Sequence, residues 1–164
     1  MNQSQIFAAI LRRNQNSLAS AVDDITHTES LLQLPGKSNC MNWILGHIVV
    51  YRDSMLAGIR QPTFFPASQT KLYAARSQPI TPESKSVRLN KLLKLLDKSH
   101  DALMVWLESN PKGLRKKTPE DIQPRKGVTV VEHFAELCWH ESNHVGELHA
   151  LRELALVSLG KGWK

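Results

Sequence analysis

Residues 129–158 read TVVEHFAELCWHESNHVGELHALRELALVS, and the fold follows from how this stretch coils. Thr129 with Glu132 three residues later is a capping-box pattern that opens a helix, and Gly160 follows the last apolar residues. At about 100° per residue, His133, His140, His144 and Leu151 fall in one narrow stripe. Glu136 and Glu147 lie along one edge of it, Leu137 and Leu148 along the other. Imidazoles and carboxylates on a core-facing stripe are costly to bury without partners. A metal ion is such a partner: His140 and His144, four apart, project side by side and can reach one ion, with the carboxylates as acceptors behind the imidazoles. His149 falls on the opposite, solvent side.

The complement lies upstream. Cys40, Trp43, Ile44, His47, Tyr51 and Ser54 share one face of a second helical stretch, so His47 points inward from a mostly apolar wall. Gly46 beside it would let a neighbouring helix or a ligand approach closely. Alone, an inward histidine reads as a satisfied core residue, and a pair at spacing four occurs by chance. Their conjunction gives three protein ligands with a coordination position left open, as in catalytic rather than structural sites. Imidazole ligands suit zinc, nickel, copper and iron alike. His100, on the apolar face of another helix, is expected to have a core or supporting role. His27 falls at a helix end, where a cation interacts favourably with the dipole. Cys40 is about 10 Å along the helix from His47, too far to share its ion, and Cys138 points away from the His140 stripe.

Apolar residues recur at helical spacing in four long stretches, which makes the fold class all-α, a four-helix bundle. The first runs over about residues 3–27. The second, about 39–59, is expected to start after Ser38 as N-cap and to stop before Pro62. The third is expected to open at Thr81-Pro82-Glu83, with proline at the first helical position, and to end near Pro111. The fourth is 129–158. A connection of about 20 residues between helices two and three, holding Pro62, Pro66 and Pro79, permits a crossover between helices pointing the same way. Residues 68–76 could form a short helix within it, and Lys161–Lys164 are expected to fray.

The 164 residues are taken as one domain, 1–164, since 41% hydrophobic and 22% charged residues is globular rather than disordered composition. No apolar run approaches the roughly 20 residues that span a bilayer, and the N-terminus MNQSQIFAAILRRNQ lacks the form of a secretory signal. Two cysteines are too few for a disulfide framework, so a cytoplasmic setting is expected. The net charge of +6 does not argue for nucleic acid. Much of it sits in Lys112, Arg115, Lys116, Lys117, Arg125 and Lys126, in a Pro/Gly-rich loop without interleaved aromatics or a recognised binding signature. That loop reads as a solvated segment, or, more sharply, as an electropositive rim that attracts an acidic substrate.

His140-Glu-Ser-Asn-His144 also matches the HExxH pattern of zinc proteases, in which the glutamate, here Glu141, is the general base. The context fails: Gly146 sits one residue early for the extended motif, and the chain has no room for a distant third ligand downstream.

Two segments resemble those of the DinB/YfiT-like proteins. Asn42-Trp43-Ile44-Leu45-Gly46-His47 is similar to their NWxxGH segment, and His140-Glu-Ser-Asn-His144-Val-Gly-Glu147 to their HxxxHxGQ segment. The resemblance implies a four-helix bundle in up-down-down-up topology, often dimeric. It also implies a divalent metal, commonly zinc or nickel, on three histidines that correspond to His47, His140 and His144. Characterised relatives include S-transferases and isomerases that use low-molecular-weight thiols. Glu147 departs from the usual glutamine, which could add a fourth ligand or strengthen a bond to an imidazole. The reading that follows is a metal-dependent, thiol-using S-transferase or isomerase acting on a small electrophile, with Glu136 or Glu147 as orienting group or base. Metal-dependent hydrolysis with Glu147 as base is one alternative; a non-enzymatic, stress-linked metal-binding protein is the other. No nucleic-acid or membrane partner is expected.

Overall fold

The computed structural model describes residues 1–33, 38–121, 128–158 (residue 158 in its backbone alone) and 160. It is all-helical. The elements are α1 (Gln3–Val22), α2 (Met41–Gly58), the short α3 (Ala67–Thr70), α4 (Leu89–Ser109) and α5 (Val130–Ser158), with 3-10 turns at Glu29–Leu31 and Gly113–Arg115. Among the described residues the extended backbone amounts to one isolated bridge, Lys117 to Thr129, and no helix is long and apolar enough to cross a membrane.

Local chemistry explains most boundaries. Asn2 and Gln5 form a reciprocal capping box at the start of α1. Thr129 and Glu132 do the same for α5: the Glu132 carboxylate accepts from the Thr129 amide at 2.7 Å and from its hydroxyl at 2.6 Å. Three expected boundaries are corrected. Helix α1 ends at Val22 rather than near 27, because Asp24 takes a left-handed conformation (φ 59°). There the Arg152 guanidinium of α5 donates to the carbonyls of Ala21 and Asp23, capping the helix end. Thr26 and Glu29 then exchange backbone-to-side-chain bonds that open a separate turn. Helix α2 is capped by Cys40 and not by Ser38, with no side-chain cap bond.

Helix α4 begins at Leu89 rather than at the Thr81-Pro82-Glu83 signal. The Thr81 amide donates to the Ser84 hydroxyl at 2.9 Å, so this signal closes a local turn instead. Tertiary bonds then hold the segment before α4: the Val87 amide donates to the Tyr73 hydroxyl, and the Asn42 side chain donates to the Val87 carbonyl. His27 is corrected as well. Its Nδ1 accepts from the Leu89 amide at 3.3 Å, which satisfies a free donor at the start of α4. Burial, then the Arg88 charge, lowers its pKa, which suits a neutral acceptor rather than a cation at a helix end. The connection from α2 to α4 therefore spans residues 59–88, longer than expected, and α3 is shorter than residues 68–76.

Helix α1 packs against α5 and α4, and α2 packs against α4 and α5. The core divides into two apolar clusters. One gathers Leu18, Ala21 and Val22 of α1, Trp43, Ile44, Leu45, Ile48 and Val49 of α2, Leu89, Leu92, Leu95 and Leu96 of α4, and Leu148, Leu151 and Ala155 of α5. The other gathers Phe7 and Leu11, Met55 and Leu56, Leu103 and Leu107, and Phe134 and Leu137. Between them lies a polar layer in which Asn14, Arg52, Ser99 and Glu141 are all buried, one from each long helix.

At Gly46 the close approach expected of a helix or ligand is made instead by the ring of Tyr73, from the connection between α2 and α4. A Cβ there would lie 2.6 Å from Tyr73 Cγ, so the bare backbone admits the Tyr73 ring. Both residues are buried on packed backbone, and Gly46→Ala is expected to cost about 1–3 kcal/mol by overpacking. Chemical denaturation measures this; a neutral result would mean that the Tyr73 segment moves freely.

Candidate metal centre

Each residue of the Asn42–His47 segment has a task. Asn42, fully buried, accepts from the Tyr73 hydroxyl and donates to Val87, fastening the connection to α2. Trp43 donates from Nε1 to the Ser77 hydroxyl at 2.7 Å and stacks on His47 at 4.5 Å between centroids. Gly46 admits Tyr73, whose carbonyl sits 2.7 Å from His47 Nδ1. A carbonyl only accepts, so His47 carries its proton on Nδ1 and presents the lone pair of Nε2.

That Nε2 faces α5. His47 Nε2 lies 3.1 Å from His140 Nε2, and His144 Nε2 lies 3.2 Å from His140 Nε2. The three form a group whose candidate ligand atoms all lie within 4.8 Å of one another, a spacing that could hold a metal ion. His144 Nδ1 is 2.7 Å from Glu147 Oε2, so the carboxylate fixes its tautomer as the Tyr73 carbonyl fixes that of His47. His140 differs: its Nδ1 is buried without a hydrogen-bond partner among the described residues, and its ring is held by stacking on Tyr51, 3.5 Å between centroids and 9° between planes. The donor set fits a divalent ion of borderline softness. His47 is 4% exposed, whereas the His144 side chain is 14% and that of Glu147 58% exposed, so the cluster is reached from the α5 side.

Other expected residues fall elsewhere. Glu136 is half-buried, and its charge pulls the His133 imidazole up against the effect of burial. His133 is half-buried near Gly58, whose Cβ would lie 3.1 Å from its Nδ1. His149 is exposed, as expected. His100 is half-buried with an unpartnered buried Nδ1, beside the polar layer. Glu141 is not a general base: it is fully buried and holds Arg52 through both oxygens at 2.8 Å. Of the basic segment, the described part lies toward the start of α5. Lys117 bridges to Thr129 at the start of α5, and His140 lies ten residues beyond Val130, about 15 Å along the helix. Arg125 and Lys126 lie outside the described residues.

The sequence pattern left unmarked the Tyr73 carbonyl, the Tyr51 and Trp43 ring stacks, and the Arg52–Glu141 pair. The carbonyl leaves no signal in residue identity. The two aromatics share the face of His47, which was signal enough to suspect contact.

Burial lowers the pKa of His140 to about 3, helped by the charges His144 and His47 would carry. Burial also lowers His47, against the pull of the Tyr73 carbonyl. His100 and His133 are lowered by burial too. In the unfolded chain each titrates near the ordinary 6.5, so below that pH the unfolded state binds more protons. Their contribution is complete above about pH 6.5 and is lost as pH falls below it, for His140 down to about 3. Asp53, raised by burial, works in the opposite sense but is one group against five imidazoles, since His27 is lowered as well. Metal-free protein is therefore expected to show a melting temperature that declines steadily from about pH 7 to about pH 4.5. A flat profile over that range would contradict it.

A comparison with curated proteins returned no match. The family model described as DinB superfamily matches residues 10–148, which takes in α2, α4 and all three clustered histidines. By that match the chain belongs to the DinB superfamily.

Proposed function

We propose that the chain is a divalent-metal-dependent enzyme, with His47, His140 and His144 as ligands, that transfers or isomerises through a low-molecular-weight thiol. The convergence of three Nε2 atoms, two of them on imidazoles pinned through Nδ1 by oxygen acceptors, carries the metal reading. Glu147 supports an open rather than a saturated site, because its carboxylate is turned to His144 Nδ1. A bound divalent cation supplies Lewis acidity, which lowers the pKa of a thiol that reaches it. His47, from α2, and the His140–His144 pair, from α5, hold the ion between two helices. Trp43 and Tyr51 exclude water from the inner side of the rings. Glu147, exposed beside His144, takes the thiol proton; Glu136 is the more distant carboxylate of the same helix. The thiol chemistry, zinc or nickel as the ion, a small electrophile as second substrate, and a homodimer follow from the family resemblance. The cytoplasmic setting follows from the cysteine usage.

The same reading takes residues 1–164 as one four-helix bundle of α1, α2, α4 and α5, in up-down-down-up order with residues 59–88 crossing over. Supporting it, Phe7 of α1 and Phe134 of α5 share a cluster with Met55 of α2 and Leu103 of α4. Early residues of two helices thus lie level with late residues of the other two.

The test is elemental analysis of protein purified without chelators, followed by an electrophile screen with and without added thiol. About one divalent ion per chain is expected, with turnover that needs both thiol and metal. Thiol-dependent turnover that survives metal removal would overturn the reading. Turnover of esters or amides without thiol would replace it with hydrolysis.

A further inference from the structure

We propose that Arg52 is a positioning residue for the three-histidine site. Its two-pronged ion pair with Glu141 sets the register of α2 against α5, and with it the distance from His47 to the His140–His144 pair. The inference rests on the ligand reading above.

Placement comes first. Arg52 directly follows Tyr51, whose ring stacks on His140, and Glu141 directly follows His140. The pair therefore joins the two ligand-bearing helices beside the site: Glu141 lies between His140 and His144 on α5, and Arg52 is five residues from His47, about 7.5 Å along α2. Both side chains are fully buried.

Geometry comes second. Arg52 Nε and Nη2 each donate to a different oxygen of Glu141, both at 2.8 Å. A planar fork on a planar carboxylate fixes distance and rotation together, which apolar contacts do not. The fork is itself held. Nη1 donates to the Leu96 carbonyl of α4 at 2.8 Å and to the Gln15 side chain of α1 at 2.9 Å. The Gln15 amide in turn donates to Asp97 at 2.9 Å. All four long helices thus meet at one guanidinium.

The third ground is the histidine that lacks support of its own. His47 and His144 are oriented by oxygen acceptors on Nδ1, whereas His140 Nδ1 has no partner among the described residues. Its aim toward the other two depends on Tyr51 from α2 and on the placement of its own helix. A slip of α5 along α2 would misdirect His140 first. Stability alone does not call for the pair, since well-packed apolar residues often replace a buried ion pair without loss.

The experiment compares wild type with the double variant Arg52→Met/Glu141→Leu, using cobalt(II) as the probe. Helix content, melting temperature, cobalt affinity and the cobalt ligand-field spectrum are measured. The expected result is a folded protein with cobalt affinity lowered about 10- to 100-fold and an altered spectrum. A folded double variant with wild-type affinity and spectrum overturns the proposal. If the double variant does not fold, Glu141→Gln keeps the side-chain shape and removes the charge. Weaker cobalt binding is expected there, and unchanged binding overturns the proposal. Cobalt uptake by wild type that survives in a His47→Ala, His140→Ala, His144→Ala triple variant would sink the ligand reading, whereas binding lost in the triple variant but unchanged in the Arg52 and Glu141 variants would sink the positioning role alone.

Discussion

His47→Ala is expected to hold a divalent ion at least about 100-fold more weakly than wild type, more than the 10- to 100-fold that supporting groups control. Of the three proposed ligands His47 is the one not on α5, and no shift of His140 or His144 along their own helix can replace an atom arriving from α2. The substitution has a second effect. It leaves the Tyr73 carbonyl without its donor and strips the stacking contact from Trp43, a cost of about 1–3 kcal/mol for the unpaired group alone. His144→Ala separates the two effects. Its side chain is at the rim and bonded to exposed Glu147, so it is expected to lose the ion with a smaller loss of stability. Competition titration with a chromophoric chelator, beside denaturation of both variants, measures this. Wild-type affinity in His47→Ala would remove α2 from the site.

Arg52→Ala is expected to be the most destabilising single substitution in the polar layer, at about 3–5 kcal/mol. The cause is what remains behind: Glu141, fully buried, would keep its charge without a counter-charge, and the Leu96 carbonyl would lose the Arg52 donor. At about 2–4 °C per kcal/mol for a chain of this size, the melting temperature should fall by about 6–20 °C. The contrast with a tolerated Met/Leu pair follows from the same physics, because the penalty belongs to the orphaned charge and not to the missing bond. A loss below about 1 kcal/mol would mean that water reaches Glu141 once the arginine is gone.

Much of this molecule was legible along the chain. The four long helices, the Thr129–Glu132 cap and the inward aim of His140 and His144 depend on spacing within one segment. Spacing of that kind is a property of the helix itself. The start of α4 was misread because Thr81-Pro82-Glu83 carries a valid local signal, overruled by Tyr73 and Asn42 holding Val87 in place. Glu141 illustrates the opposite failure. Its neighbours match a protease motif, and what it does was set by Arg52, 89 positions away.

The chain by itself determined an all-helical protein with two imidazoles paired on one helix and a third awaiting them on another, because helical periodicity orders side chains without reference to the rest of the fold. Only the tertiary structure decided that the third imidazole reaches the pair. There the Tyr73 carbonyl meets His47, the ring of Tyr51 stacks on His140, and the Arg52–Glu141 pair joins α2 to α5. Backbone carbonyls and long-range ion pairs act through space, and no spacing along the sequence encodes them.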